Sequence, residues 1–320
     1  MSEPRLCCAI LVTNGAEAVL ETEWNGPPDC GLVVVVSPET EDEPIRQRFQ
    51  GAKLLRARRP GWSAAANAAL GEALASGADY LLFVEPGARM PWDTATALVS
   101  HMQRAPHLAA AGVKNVLRDD PTSAWGWYGR ITWGPTLIAI EGHLAPSLPE
   151  PPTREVDWLL ANGCMVRTAH ARLIGPFDED LFSGFAEADW CTRARHSGFA
   201  VAYTAGCEVQ RKRPAERFGS ERFLFSPSYL VGYSSASFAR KHASRLQRAT
   251  LVLCMGLGIL LRLTWYLVEG TEDAVRLQWP FVSGMRDGFL GRLRKEKIVA
   301  RRDTATLRRR LRRLVEWIGA

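Results

Sequence analysis

No two cysteines in this 320-residue chain stand in a CxxC spacing, so nothing points to a cysteine-built metal site. The seven cysteines are odd in number, include the adjacent Cys7 and Cys8, and lie mostly inside apolar runs. They read as small buried hydrophobes in a reducing compartment, which argues against a disulfide framework. Also lacking is a basic n-region followed by a small-residue cleavage site, because Met1-Ser2-Glu3-Pro4-Arg5 runs straight into a strand-like stretch. A secretory signal is therefore not expected, and the catalytic part is expected in the cytoplasm. There is no internal repeat and no low-complexity tract, which sets aside repeat arrays.

What is present is 47% hydrophobic residues, enough to build one large domain or two modest ones around a sizeable core. Forty basic against 34 acidic residues give a formal charge of +6, but the excess is not spread evenly. It gathers between Arg286 and Arg313, in Arg292, Arg294, Lys295, Lys297, Arg301, Arg302, Arg308, Arg309, Arg310, Arg312 and Arg313. Such a segment is suited to an anionic surface or is simply solvated. Leu307, Leu311, Leu314, Val315 and Ile318 share one face of a helix whose other face carries arginines, a pattern that favours lipid head groups. Nucleic acid is not expected, since the arginines lack interleaved aromatics.

Across the first half, short β-branched runs alternate with helical stretches. Leu6 to Val12, Leu32 to Val36, Lys53 to Ala57, Tyr80 to Val84 and Ala109 to Val113 read as strands. Ala16 to Glu23, Pro44 to Gln50, Ser63 to Ala75 and a stretch from Pro91 to about Arg104 read as helices. This alternation predicts a mostly parallel α/β sheet with its site at the carboxyl ends of the strands. Leu117 to Pro152 is irregular and predicts an antiparallel excursion; Val156 to Arg167 and Val201 to Val209 return to the sheet.

Past Pro227 the character changes. Ala249 to Val268 is almost wholly apolar, long enough to span a bilayer, but Arg262 near its centre is unfavourable for a span. A membrane-surface or re-entrant helix is the leading reading, ahead of a core or oligomer helix and of a full span. Trp265, Tyr266, Trp279 and Phe281 are candidate interfacial anchors.

The segment from Phe177 to Arg193 sets Glu187 and Asp189 in an apolar, aromatic stretch ahead of a helix carrying Arg193 and Arg195. Two readings stand side by side. The acids cap the helix start, or one of them is a general base at the mouth of a pocket.

In order and spacing these pieces resemble the family 2 glycosyltransferases of the GT-A fold, closest to the bacterial rhamnosyltransferase-like branch, from Leu6 to about Leu293. The resemblance implies a GT-A domain over residues 1–225 and a helical, basic, membrane-associating region over 226–320. It implies nucleotide-sugar contacts at Thr13 and Asn14, at Ser37 and Asp42 in the loop after the valine strand, at Asn67, and at Glu85. Glu85 is the surviving carboxylate where the family has an Asp-x-Asp pair holding a divalent cation, Mg or Mn. Gly87 takes the place of the second acid, and Gln210 that of a closing His. Asp157 and Trp158 fall at the acceptor site, and Glu187 and Asp189 at the catalytic site, Glu187 as general base and Asp189 as the residue that orients an acceptor hydroxyl or caps the helix.

The implied activity is inverting transfer of a hexosyl or deoxyhexosyl group from a nucleotide sugar to a lipid-linked or polysaccharide acceptor in cell-envelope biosynthesis. The implied location is peripheral, on the inner face of the cell membrane. With Glu85 almost alone, charge on the leaving diphosphate falls either to a cation held largely by the diphosphate itself or to basic side chains. The candidates are Arg58, Arg59, Arg89, Arg211 and Lys212. The alternative is a degenerate homologue that binds without transferring.

Overall fold

The structure is a computed structural model that describes residues 4–13, 17–27, 30–133, 137–143, 149–182, 184–212, 229–269 and 274–294. Asn14 and the expected helix over Leu307 to Ile318 lie outside the described residues. The chain divides into two compact units, Met1–Gly219 and Ser220–Ala320.

The first unit begins β1 (Leu6–Val12), α1 (Glu17–Leu20), β2 (Glu23–Trp24), β3 (Gly31–Val36), α2 (Glu43–Arg48) and β4 (Lys53–Arg56). It continues α3 (Trp62–Ser76), β5 (Tyr80–Val84), β6 (Arg89–Met90), α4 (Trp92–Arg104), β7 (Leu108–Leu117) and β8 (Ala124–Gly126). The remainder is β9 (Tyr128–Ile131), β10 (Ile138–Glu141), β11 (Arg154–Glu155), β12 (Cys164–Arg167), α5 (Thr168–Ile174), α6 (Phe185–His196) and β13 (Ala200–Arg211).

The main sheet runs β2-β6-β13-β7-β12-β5-β1-β3-β4, with β11 beside β13 and β8 beside β7. β1 is parallel to β3 and β5, β3 to β4, and β7 to β13. β12 is inserted antiparallel between β5 and β7. The carboxyl ends of β1, β3, β5, β7 and β13 therefore emerge at one edge, together with the amino end of β12. This is the mixed, mostly parallel α/β architecture that the alternation predicts.

The valine-rich strands are buried on both faces, which is why they read as unbroken apolar runs. Cys8, Ile10, Val12, Val34, Val36, Leu82 and Val84 pack against Ile45 and Phe49 near α2 and Leu98 and Met102 of α4. Burying each such aliphatic side chain is worth about 1.5–3 kcal/mol. On the other face lies α3, whose alanines Ala64, Ala65, Ala66, Ala69 and Ala73 are buried and allow a close approach. Trp62 at its start meets Phe83 of β5 at a centroid distance of 5.6 Å.

Two segments differ from expectation. The expected helix over Ala16 to Glu23 shrinks to the single turn α1, because Glu23 and Trp24 are drawn into the sheet beside Arg89 and Met90. Of Val156 to Arg167, only Cys164–Arg167 joins β5 and β7. The irregular middle does contain an antiparallel excursion, the β9–β10 pair, and Gly129 of β9 bridges Trp158.

The second unit contains α7 (Tyr229–His242), α8 (Arg245–Glu269) and α9 (Ala274–Phe289). α7 and α9 approach so closely that a Cβ on Gly284 would lie 2.1 Å from the Tyr229 carbonyl oxygen, and one on Gly288 2.3 Å from that of Tyr233. Asp287 is fully buried between them, where it accepts from the Tyr229 hydroxyl at 3.0 Å and pairs with Arg286 at 3.0 Å and Arg294 at 3.3 Å. α8 buries Leu251 and Met255 and exposes Leu246, Val252, Leu253, Leu257, Leu260 and Leu261. Among the described residues no helix is long and apolar enough to cross a membrane. Trp279 is exposed, whereas Phe281 is buried and is a packing residue, not an interfacial anchor.

Candidate active site

Glu85 follows β5 directly. Its backbone N–H donates to Asn162 Oδ1 at 3.0 Å, just ahead of β12. Asn162 and Asn115 of β7 are both buried and clasp each other: Asn162 Nδ2 donates to Asn115 Oδ1 at 3.1 Å, and Asn115 Nδ2 to the Asn162 carbonyl at 3.0 Å. A satisfied buried amide pair of this kind fixes one local geometry. The Glu85 carboxylate meets Arg211 Nη2, at the end of β13, at 3.0 Å. The Arg211 guanidinium lies over the Trp125 indole, 4.6 Å from its centroid, and its Nε is buried without an acceptor among the described residues.

α6 supplies the second carboxylate. Gly184 opens the helix at φ 83°, a left-handed conformation that a residue with a Cβ adopts only at a cost. Glu187 then falls in the first turn, where the helix dipole favours an anion. Burial nonetheless dominates and pushes its pKa up to about 7. A bond from its own backbone N–H works in the opposite direction, and the nearby Glu85 charge adds to the rise. Cys164 and Cys191 are the buried thiols beside it, and its charge contributes to lifting their pKa values, after burial itself. A carboxylate that titrates near neutrality is well matched to taking a proton from a hydroxyl.

The other expected residues spread over several tasks. Asp189 is almost fully buried and holds Arg193 Nε at 2.9 Å, while Arg193 donates to the carbonyls of Ile174 and Pro176 at 2.7 Å each. It thereby fastens the α5–α6 connection. Asn67 of α3 clasps the backbone of Phe177 and reaches Glu179, so it holds the segment leading to α6. Asp157 accepts from the Ile131 N–H at 2.9 Å and pairs with Arg195 of α6 at 2.8 Å. Trp158 is 2% exposed, enclosed by Gly129 and Gly184, so its indole has no open face on which a sugar could stack. Ser37 is buried and bonds the Thr13 carbonyl at 3.5 Å, joining the ends of β1 and β3. Asp42 pairs with Arg56, which also donates to the carbonyls of Ser37, Pro38 and Thr40 and so knits that loop. Gln210 pairs with Arg89 across the β13–β6 ladder. Sequence reasoning did not single out the Asn115–Asn162 pair; its one signal is Asn115 beside Lys114 at the end of a long apolar strand.

No family model matches the sequence, and no curated relative matches it either. Among solved structures, the mannosyltransferase PcManGT from Pyrobaculum calidifontis, in complex with GDP-Man and Mn2+, superposes with a TM-score of 0.52. The match covers 90% of this chain and 88% of that one at 13% identity. The fold is that of the GT-A glycosyltransferases. Two looser superpositions are GalNAc-T7 with UDP, GalNAc and Mn2+ (TM-score 0.48, 12% identity, 75% of this chain) and S. aureus TarS 1–349 with UDP-GlcNAc (TM-score 0.45, 13% identity, 90% of this chain and 92% of that one). This chain spans about half, 51%, of the GalNAc-T7 chain.

A divalent cation in a GT-A site asks for several oxygen ligands, and the described residues do not offer them. The described residues contain no group of three or more His, Cys, Asp or Glu placed to hold a metal ion. The Glu85 carboxylate is engaged by Arg211, and Gly87 brings no side chain, its N–H donating to Thr22 Oγ1 at 2.8 Å. The donor set does not fit a protein-built cation site.

Proposed function

We propose that the chain is an inverting glycosyltransferase that uses a nucleotide-diphosphate sugar, with Glu187 as general base. The observation that carries this is the place of Glu187, a half-buried carboxylate in the first turn of α6, near enough to Glu85 at the end of β5 for that charge to add to the rise of its pKa to about 7. An acceptor hydroxyl oxygen attacks the anomeric carbon as the carbon–oxygen bond to the diphosphate breaks, its electron pair leaving on the phosphate oxygen. The hydroxyl proton passes to Glu187. The Asn115–Asn162 pair holds Glu85, and the Asn67 clasp holds the approach to α6. Thr13, Ser37 and Asp42 lie at or beyond the carboxyl ends of β1 and β3, which suits them to a nucleotide-sugar grip.

The sugar transferred, a hexose or deoxyhexose, follows the rhamnosyltransferase-like resemblance, as does a lipid-linked or polysaccharide acceptor of the cell envelope. The exposed leucines of α8, with Arg245 and Arg248 at its start, support binding to the inner face of the membrane without a span. Asp157, paired with Arg195, is the acceptor-side carboxylate.

Purified protein incubated with a panel of sugar nucleotides should release nucleoside diphosphate, and Glu187→Gln should abolish release while leaving nucleotide binding intact. Binding with no turnover on any donor, with or without membrane extract as acceptor, would instead favour the degenerate binding subunit. Anionic liposomes should float the protein, and Leu253→Glu with Leu257→Glu should leave it at the bottom of the gradient; flotation of both forms would sink the membrane assignment.

A further inference from the structure

Resting on that reading of the site, we propose that Arg211, in place of a protein-held divalent cation, takes the charge that grows on the leaving diphosphate. Four other cations near these strand ends are already engaged. Arg59 is held by Glu179 at 3.6 Å and Asp180 at 3.0 Å. Arg89 is held by Glu23 at 3.3 Å, and Lys212 by Glu21. Arg118 pairs with Glu23 at 2.5 Å and donates to the carbonyls of Glu21 and Gly87 at 3.0 Å and 3.2 Å. Arg58 is exposed.

Arg211 differs from these in three ways. Its ionic partner among the described residues is Glu85, the carboxylate where the resemblance places the cation. Its plane is set by the Trp125 indole at 4.6 Å, which fixes the donor fork in advance. Its Nε–H is buried with no acceptor among the described residues. A guanidinium N–H withdrawn from water and left unbonded is costly, and a diphosphate oxygen is the kind of acceptor that would satisfy it. Oriented cationic donors aimed at developing phosphate charge act as a metal does, without needing ligands from the protein. Glu85 then neutralises and orients Arg211 in the free protein, and is a positioning residue, not a metal ligand.

Glu85→Gln separates the two roles by the sign of its effect. If Glu85 held a metal, the substitution would weaken nucleoside-diphosphate binding and only in the presence of the metal. If it only neutralises Arg211, the substitution removes a negative charge beside the diphosphate and strengthens binding. The experiment is isothermal titration of UDP, GDP and dTDP into the full-length protein, in excess EDTA and in Mn2+.

At least one diphosphate should bind with similar affinity in both conditions. Arg211→Gln should weaken it by about 10-fold or more, Arg211→Lys less so, and Glu85→Gln should tighten it. Cation-dependent binding that Glu85→Gln weakens would overturn the role of Arg211 and leave the glycosyltransferase reading standing. Unchanged affinity in Arg211→Gln with a native melting curve would do the same. No binding of any diphosphate by the wild type in either condition would overturn both.

Discussion

Asn67 grips the backbone of Phe177 with both ends of its amide: Nδ2 donates to the Phe177 carbonyl at 2.9 Å, and Oδ1 accepts the Phe177 N–H at 2.8 Å. The two residues are 110 positions apart. The clasp ties α3, on the sheet, to the segment that delivers α6 and Glu187. Phe177 itself stacks on Trp190 of α6 at 5.4 Å and meets Trp62 of α3 at 5.0 Å, so the amide pair sits inside an aromatic joint.

Asn67→Ala should therefore cost about 2–4 kcal/mol, since it strands a backbone donor and acceptor that are shielded from water. Urea denaturation followed by tryptophan fluorescence measures it. Asn67→Asp sets a carboxylate against the Phe177 carbonyl and the Glu179 carboxylate and should destabilise at least as much as Asn67→Ala.

Glu187 gives a pH signature in both rate and stability. Its pKa is raised in the folded protein from the ordinary 4.5 to about 7, so turnover should climb as pH rises through about 7 and the base loses its proton. In Glu187→Gln, residual turnover should lack that step. The folded state binds this proton more tightly than the unfolded chain, so the group's contribution to stability is complete below about pH 4.5 and is lost as pH rises through about 7. Melting temperatures should show Glu187→Gln gaining on the wild type across that interval; a constant gap would contradict the desolvated carboxylate.

Removing Asp189 should damage the fold more than the chemistry. Asp189→Ala leaves Arg193 without its buried counter-charge and should cost about 3–5 kcal/mol. Arg193→Gln should be comparably unstable, because it loses the ion pair and the bonds to Ile174 and Pro176. If Asp189→Asn melts like the wild type but loses turnover, Asp189 acts on the substrate and not on the α5–α6 connection.

In the second unit, Gly284→Ala places a methyl 2.1 Å from the Tyr229 carbonyl oxygen, a rigid backbone atom that cannot swing aside. The α7–α9 pair must separate to admit it, at a cost of about 1–3 kcal/mol or more. Circular dichroism during thermal unfolding should show the loss. Gly256→Ala on α8, where nothing lies within 4 Å of the added carbon, should be neutral or slightly stabilising.

The sequence by itself determined the layered sheet. Val33 to Val36 and Tyr80 to Val84 are apolar at every position, and only burial on both faces makes such strands favourable. It also determined where α3 begins and ends and where α4 begins, because Gly61, Gly77 and Pro91 punctuate the chain whatever surrounds them. From their place at a helix start after an aromatic run, Glu187 and Asp189 read equally as helix caps or as a base, and only the family resemblance singled out Glu187.

Tertiary structure alone decided what each polar residue does. Asn67 and Asp157 occupy motif positions, yet their side-chain oxygens are bonded to partners 110 and 38 positions away, separations over which spacing carries no signal; only the Asp189–Arg193 pair, at i and i+4 of one helix, is of a kind that spacing suggests. The rise in the Glu187 pKa depends on how completely α6 and β12 exclude water from it. The pairing of Glu85 with Arg211 depends on β5 and β13 ending at the same edge of the sheet. Local pattern fixes backbone conformation; charge, desolvation and the identity of a partner are set by atoms that meet only when the chain has closed.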